Sequence, residues 1–440
     1  MFSRCQWSRC YSFSRSLTQI EWGILRCYAR RIRSISILDE NDTLDWKSVG
    51  TFLNPPSSEP LFPNLRYLRA GGSTEIDIQH FLYMPLPSLI SLDVWYIAKE
   101  TLCALQGSLE SVSNFSRNIR NLSIQLREPD DIFSKFFSSC VCRWRDLRDV
   151  NCAGITLDLD ALVHLSRMPT LSELRCALSA TFPPPDFPIF FTNLHHLSLY
   201  AECLEPISEL LSQTRLHVIT DFTALIQSSP SKQDFSSFLA NIQTSNIGHT
   251  IQELEFLQQL RLQDGEDDTR VLKFEDLRPC MAFSNLRRID LNLTWKVDLT
   301  DNELLALSSA WPRLEHLLIN MDSGWNTPGG ITPNGLLQLL QACRSLWEIA
   351  LVIDTRGYTE FRESPASLGS RLPATFSIDV LDSFIEEESV PAIATFLAVI
   401  APGPDFSFNV RRVGLTWASN HERRWYDAYE RAKKALSQRS

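Results

Sequence analysis

One short pattern of apolar and polar positions recurs along nearly the whole chain. It consists of an apolar residue, two further residues, an apolar residue, one residue and a last apolar residue, as in Leu89–Val94 and Leu194–Leu199. Between residues 32 and 199 its central residue returns every 23 to 33 residues. Because successive strand residues face opposite sides, each copy predicts a short strand with one buried face. The regular return of the pattern predicts leucine-rich repeats.

The copies of this pattern begin at Ile32, Leu65, Leu89, Ile119, Leu147, Leu171, Leu194, Ile251, Leu286, Leu314, Leu346 and Val410. Two degenerate copies are predicted at Leu216–Val218 and Phe376–Val380.

Helices are predicted between the strands. The capping box of Thr300 and Glu303 predicts a helix over Asp298–Ala310. Thr332 followed by Pro333 is a helix start. The predicted fold class is therefore α/β, a leucine-rich-repeat solenoid (horseshoe) with parallel strands on the concave face and helices on the convex face. The alternative, an ordinary α/β enzyme, is disfavoured because its sheet does not repeat one strand pattern a dozen times.

The solenoid is expected to span residues 31–420. Residues 1–30 are predicted to be a disordered leader or a truncated remnant, and a transit peptide is the alternative because no acidic residue precedes Glu21. Residues 421–440 are predicted to form a capping helix, with Trp425, Tyr429, Ala432 and Leu436 on one face. A basic helix lying on a membrane surface is the alternative for this last segment.

The amino-acid composition disfavours several classes of function. The chain has 42 basic and 52 acidic residues, a net charge of −10, which disfavours nucleic acid as a partner. Its 62 leucines supply a repeat core, and its 16 glycines include no phosphate-binding loop. No apolar run is long enough to span a bilayer, so no membrane partner is expected. We therefore expect that the protein is not an enzyme, that it has no catalytic residues and that it binds no cofactor.

Cysteine and histidine give no metal site. The eleven cysteines are scattered through apolar stretches, which is typical of buried thiols in a reducing compartment, so the cytoplasm or the nucleus is expected. His195 and His196 are adjacent residues of one predicted strand and face opposite sides, so they do not share a metal.

The residues between the leucine-type positions are predicted to project from the concave face. They mix both charge signs with aromatic rings, which suits protein recognition. The candidate partner-binding residues are Tyr67, Arg69, Asp93, Trp95, Asn121, Glu173, Arg175, His196, Tyr200, Arg288, Asp290, His316 and Asn320. Asp149, Glu253, Glu255, Glu348 and Arg412 occupy positions of the same kind.

Several stretches resemble the F-box proteins with C-terminal leucine-rich repeats that are expanded in fungi. The stretches are Glu21–Trp22, Tyr28–Ser34, Leu277–Pro279, Ala282–Leu286, Ala310–Glu315 and Ile385–Leu397. The resemblance covers the repeat region only, and no F-box-like Leu-Pro opening is visible before it.

The resemblance implies a substrate-recognition subunit of a cullin-RING (F-box type) ubiquitin ligase, or a truncated relative of one. In this family the F-box docks on a Skp-type adaptor and the repeats hold a protein substrate. A Skp-type adaptor is therefore expected as a partner only if an F-box is encoded upstream. The alternative is a stand-alone leucine-rich-repeat scaffold protein with no link to ubiquitin.

Overall fold

Parallel strands and helices alternate along the chain. The computed structural model describes residues 2–4, 11–13, 15–37, 59–71, 82, 84–97, 99–181, 188–245, 249–259, 270–327, 329–361, 376–401, 406–410 and 418–438. The chain divides into two compact units, Met1–Ala201 with Gln213–Leu216 (unit 1) and Glu202–Ser212 with His217–Ser440 (unit 2).

Unit 1 contains eleven strands and four α-helices among its described residues. The strands are β1 (Phe2–Arg4), β2 (Tyr11–Phe13), β3 (Ser34–Ile37), β4 (Tyr67–Gly71), β5 (Ser91–Ile97), β6 (Asn121–Leu126), β7 (Asp149–Thr156), β8 (Glu173–Ala177), β9 (Ile189–Phe191), β10 (His196–Ala201) and β11 (Thr214–Leu216). The helices are α1 (Gln19–Ala29), α2 (Leu102–Phe115), α3 (Asp131–Val141) and α4 (Leu159–Ser166).

The main sheet of unit 1 has the strand order β3-β4-β5-β6-β7-β8-β10, and every neighbouring pair is parallel. The leucine-type positions of β4 to β8 and of β10 are buried, as Leu92 and Val94 are in β5, and those of β3 are partly buried. The residues between them are partly or fully exposed. β9 and β11 form a separate parallel pair, and β1 and β2 an antiparallel one.

A backbone ladder fixes the step from one repeat to the next. The carbonyl of Arg120 accepts hydrogen bonds from the N–H groups of Arg148 and Asp149, and the carbonyl of Arg148 accepts from the next repeat in the same way. Because each step between neighbouring strands of the unit 1 main sheet makes the same two bonds, the strands stay in register and equivalent residues form rows across this sheet.

Unit 2 repeats this organisation. Its strands are β12 (Asp221–Ile226), β13 (Glu253–Gln258), β14 (Val271–Lys273), β15 (Arg288–Asn292), β16 (Lys296–Asp298), β17 (His316–Ile319), β18 (Glu348–Ala350), β19 (Ser377–Asp379) and β20 (Ser407–Asn409). Its helices are α5 (Glu205–Gln213, whose last residue belongs to unit 1), α6 (Lys232–Thr244), α7 (Phe274–Leu277), α8 (Asp301–Ala310), α9 (Pro333–Ala342), α10 (Val390–Ile400) and α11 (Ala418–Ser437).

The main sheet of unit 2 has the order β12-β13-β15-β17-β18-β19-β20, again with parallel neighbours, and β14 pairs with β16. Sequential parallel strands joined by helices, with leucine-type residues filling the core, define an α/β leucine-rich-repeat solenoid. The predicted fold class is therefore confirmed in both units.

One predicted strand is misplaced, and another lies mostly outside the described residues. The strand expected at Leu216–Val218 is β12, where buried Ile219, Phe222 and Ala224 carry the repeat pattern. The copy of the pattern that begins at Val410 extends into residues 411–417, which lie outside the described residues, and the strand β20 at Ser407–Asn409 precedes it. The degenerate copy at Phe376–Val380 does form a strand, β19.

Helix α1 lies in the stretch predicted to be a disordered leader. Thr18 and Glu21 form a capping box at its start, and Trp22 and Ala29 are buried. Helix α11 covers most of the predicted capping segment and buries Trp425, Ala428 and Ala432. Within the described ranges, no helix combines the length and apolarity that a membrane crossing needs.

Candidate functional site

The exposed side of the unit 1 sheet gathers most of the sequence-predicted residues, and we call it the unit 1 strand face. The parallel register brings equivalent residues of successive strands into two rows. The first row is Tyr67, Ser91, Asn121, Asp149, Glu173 and His196, and the second is Arg69, Asp93, Ser123, Asn151, Arg175 and Ser198. Trp95 of β5 and Tyr200 of β10 lie farther along their strands.

At one end of this face an arginine and a tryptophan are held together. Arg69 forms an ion pair with Asp93, with 3.1 Å between Nε and Oδ2, and its guanidinium lies 5.5 Å from the ring centroid of Trp95. The indole lies over Gly71, where an added Cβ would stand 2.1 Å from the ring. Glycine at this position therefore lets Trp95 lie against the sheet as a partly exposed aromatic surface.

In the middle of the face a carboxylate is held in a fixed orientation. Ser172 donates a hydrogen bond to Oδ1 of Asp149 at 3.0 Å. With its side-chain nitrogen turned towards Asp149, Asn121 donates to Oδ2, also at 3.0 Å. Glu173 is the register neighbour of Asp149, and Arg175 follows two residues later on the same strand.

These residues line an open depression of about 440 Å³ that extends from β4 to β8. Its lining includes Arg69, Asp93, Asn121, Ser123, Asp149, Asn151, Glu173 and Arg175. Ser123 and Asn151 are not among the sequence-predicted residues, although they follow the same alternation along their strands. The depression presents donors, acceptors and charges of both signs to solvent.

The corresponding side of the unit 2 sheet holds a more buried charge network. Arg288 lies 2.9 Å from Glu255 and 2.9 Å from Asp290, so one guanidinium bridges strands β13 and β15. His316 lies 2.7 Å from Glu348, with Nδ1 facing Oε2, and its ring packs against Trp347 at 4.2 Å. The predicted residues Arg288, Asp290 and His316 are thus brought together.

Burial dominates the acid–base behaviour of this network. It raises the pKa of Asp290 to about 6, against the opposing effect of Arg288, and the charge of Glu255 raises it further. Burial also raises the pKa of Glu253, with the charge of Asp221 as the next cause. Both shifts mean that burial favours the neutral, protonated form of these two carboxyl groups.

Asn320 is not on the exposed side of the sheet, contrary to the sequence prediction. It is fully buried, and its φ of 54° places the backbone in the left-handed region just after β17. The alternation of strand residues ends at this turn, so the side chain points into the protein. Leu318 and Ala350, at exposed-type positions of β17 and β18, are also buried. Arg412 lies outside the described residues.

Metal ligation has no support in the described part of the chain, where no group of three or more His, Cys, Asp or Glu residues is placed to hold an ion. His195 and His196 do not form such a group. The chemistry that the unit 1 strand face offers is hydrogen bonding, ion pairing and aromatic packing.

No protein-family model and no curated protein matches the chain. Among solved structures it is similar to an internalin from Listeria monocytogenes str. 4b F2365, with 16% identity over 74% of this chain and 82% of the internalin chain, and a TM-score of 0.38. It is also similar to a chain in the crystal structure of the Rad7 and Elc1 complex in yeast, with 13% identity over 76% of this chain and 73% of that one, and a TM-score of 0.37. The assignment to the leucine-rich-repeat class rests on the strand order, register and core of the chain itself.

Proposed function

We propose that the chain is a non-enzymatic protein-recognition module that binds its partner through the unit 1 strand face. The observation that carries this proposal is the open depression of about 440 Å³, lined by in-register polar and charged side chains. Trp95, Arg69 and Tyr67 flank one end of it, and Trp, Tyr and Arg are the residue types that dominate binding energy at protein interfaces.

The physical basis of recognition is preorganisation. Gly71 and Arg69 hold Trp95, and Ser172 and Asn121 hold Asp149, before any partner arrives. Side chains that are already ordered lose little conformational entropy on binding, which favours affinity.

Replacing Trp95 and Tyr200 by alanine tests whether the unit 1 strand face binds the partner. A matched control replaces Phe115 and Phe190, two exposed aromatics of unit 1 that are not on the strand face. Affinity purification followed by quantitative mass spectrometry should recover partners with the wild-type chain and the control. The Trp95→Ala/Tyr200→Ala chain should recover at least about tenfold less, since a hot-spot residue contributes about 2 kcal/mol or more. Equal recovery by all three chains would rule the surface out.

We further propose that the module is the substrate-recognition subunit of a cullin-RING ubiquitin ligase of the F-box type, or a truncated relative. Its support is the set of sequence stretches shared with fungal F-box/leucine-rich-repeat proteins, such as Ala310–Glu315. Co-purification of the full native transcript product with a Skp-type adaptor tests this role. Absence of the adaptor, with strand-face binding intact, would favour a stand-alone scaffold protein.

We propose the cytoplasm or the nucleus as the compartment. Its support is that the nine described cysteines are all free thiols and that five of them are buried, as in Cys152 and Cys176. Burial raises the pKa of Cys176 to about 12, so this thiol stays protonated and unreactive. Fractionation of cells that express the chain, with immunodetection, checks the compartment.

A further inference from the structure

Three charges on the unit 1 strand face are left uncompensated. At the end near β4, Arg69 and Asp93 neutralise each other in an ion pair. Asp149, Glu173 and Arg175 line the same depression, and none of them forms an ion pair within the part of the chain that the structure describes. The middle of the face therefore offers two negative charges and one positive charge to a partner.

The two carboxylates are placed side by side. Asp149 and Glu173 are register partners on adjacent strands, about 4.8 Å apart at the backbone. Like charges directly opposite each other in a sheet are destabilising, so a cation between them is favoured. A guanidinium can bond two carboxylate oxygens at once, and an ammonium can act as a point charge. The same two carboxylates repel the phosphates of a nucleic acid.

The positive charge lies at a fixed step from this pair. Glu173 and Arg175 are two residues apart on one strand, which separates them by about 6.6 Å. An extended peptide presents alternate side chains at the same spacing. A segment that places a basic side chain on Asp149 and Glu173 therefore brings a residue two positions away over Arg175, where an acidic side chain is complementary.

We propose that the partner of this face is a protein that presents an extended segment in which an Arg or Lys lies two positions from an Asp or Glu. This inference rests on the proposed function, because it specifies the chemistry of the partner that the strand face recognises. The basic residue bonds the carboxylates of Asp149 and Glu173, and the acidic residue bonds the guanidinium of Arg175.

Peptide display tests the inference directly. A library of random 12-residue peptides is selected against the immobilised full-length chain, and a recovered peptide is then synthesised and titrated. Among the binders we expect enrichment of Arg or Lys two positions from Asp or Glu. The Asp149→Asn/Glu173→Gln variant should bind the synthetic peptide with an affinity lower by about tenfold or more, because charge-assisted hydrogen bonds are lost.

Asp160→Asn is the charge control for this experiment. Asp160 is an exposed acid in the first turn of helix α4 and does not line the depression. Its replacement should change the affinity less than twofold, as an exposed charge away from the contact contributes little. In addition, Arg175→Glu should lower the affinity for the peptide. A peptide in which Lys replaces the acidic residue should bind to the Arg175→Glu variant again.

The remaining outcomes separate this inference from the proposed function. Binders that lose affinity in the Trp95→Ala variant, yet show no such basic and acidic pair, overturn the partner chemistry and leave the strand face as the binding surface. If no peptide is recovered, or if no strand-face variant changes the affinity, both proposals are overturned.

Discussion

At the scale of single residues, Asn320 shows how one side chain fixes a turn. Its Nδ2 donates to the carbonyl of Trp295 at 2.6 Å, and its Oδ1 accepts from the N–H of Leu293 at 2.8 Å. Asparagine is also one of the few residues that tolerate the left-handed backbone seen here, with φ of 54°. Asn320 therefore joins the turn after β17 to the segment that follows β15.

Asn320→Ala is expected to lower the free energy of unfolding by about 3 kcal/mol, because two buried backbone groups lose their partners and alanine disfavours the left-handed region. Asn320→Gly should be less harmful, since glycine adopts that backbone freely while still losing the side-chain bonds. Urea unfolding followed by circular dichroism measures both. An alanine variant as stable as the wild type would contradict this structural role.

On the scale of elements, buried tryptophans connect consecutive repeats. The indole N–H of Trp144 donates to the carbonyl of Ser116 at 3.1 Å, and that of Trp311 to the carbonyl of Cys280 at 3.0 Å. Near the C-terminus Trp425 makes the same kind of bond to Ser383 at 3.0 Å. Each ring fills core volume and also pairs a carbonyl of an earlier segment, so it fastens one repeat to another.

Trp311→Phe should therefore destabilise the protein by about 2 kcal/mol, through the loss of one buried hydrogen bond and the opening of a small cavity. The control is Trp347→Phe, since Trp347 is only partly buried and a phenyl ring can still pack against His316. Its effect should stay below about 1 kcal/mol, because a smaller ring at a partly exposed position leaves little buried cavity. Unfolding midpoints in urea compare the two variants, and equal losses would argue against a role for the indole bond.

The charge network of strands β13 and β15 makes stability depend on pH. Because burial raises the pKa of Asp290 to about 6, above its unfolded value near 3.9, the folded state holds this proton more tightly than the unfolded state does. The contribution of Asp290 is therefore most favourable below the unfolded pKa, and it is lost as the pH rises towards 6.

Asp290→Asn keeps the neutral form of this side chain at every pH. The difference between its urea midpoint and that of the wild type should increase as the pH is raised from about 4 to about 6, and should stay constant above about pH 7. Asp160→Asn, which removes a carboxyl group at an exposed position, is the matched control variant. A difference between Asp290→Asn and wild type that does not change over this pH range would contradict the assigned pKa.

At the scale of the whole molecule, the sequence predicts features that depend on local periodicity but not those that depend on long-range contacts. The strand pattern predicted most of the main-sheet strands and their exposed residues, since the alternation of side chains is a local property. The buried position of Asn320 and the partners of Trp144 and Trp311 depend on segments about 30 residues away, which local periodicity does not report. The strand at Asp221–Ile226 was misplaced because Leu216, a residue of the β9–β11 pair, resembles a repeat position.

The same distinction applies to the candidate site. Period-two alternation placed Arg69, Asp93 and Glu173 on one face, and the parallel register confirms that they share it. The support of Trp95 by Gly71 depends on the register of two strands 24 residues apart in the chain, so it is visible only in the structure.

Site-specific photo-crosslinking tests the central claim, recognition through the unit 1 strand face, most directly. A benzoylphenylalanine is introduced at Ser123, which lines the depression, or at Ile132 of helix α3, whose side chain is 75% exposed. After irradiation in cells that express the chain, we predict a covalent partner adduct from position 123 and none from position 132. An adduct from position 132 without one from position 123 would contradict the account.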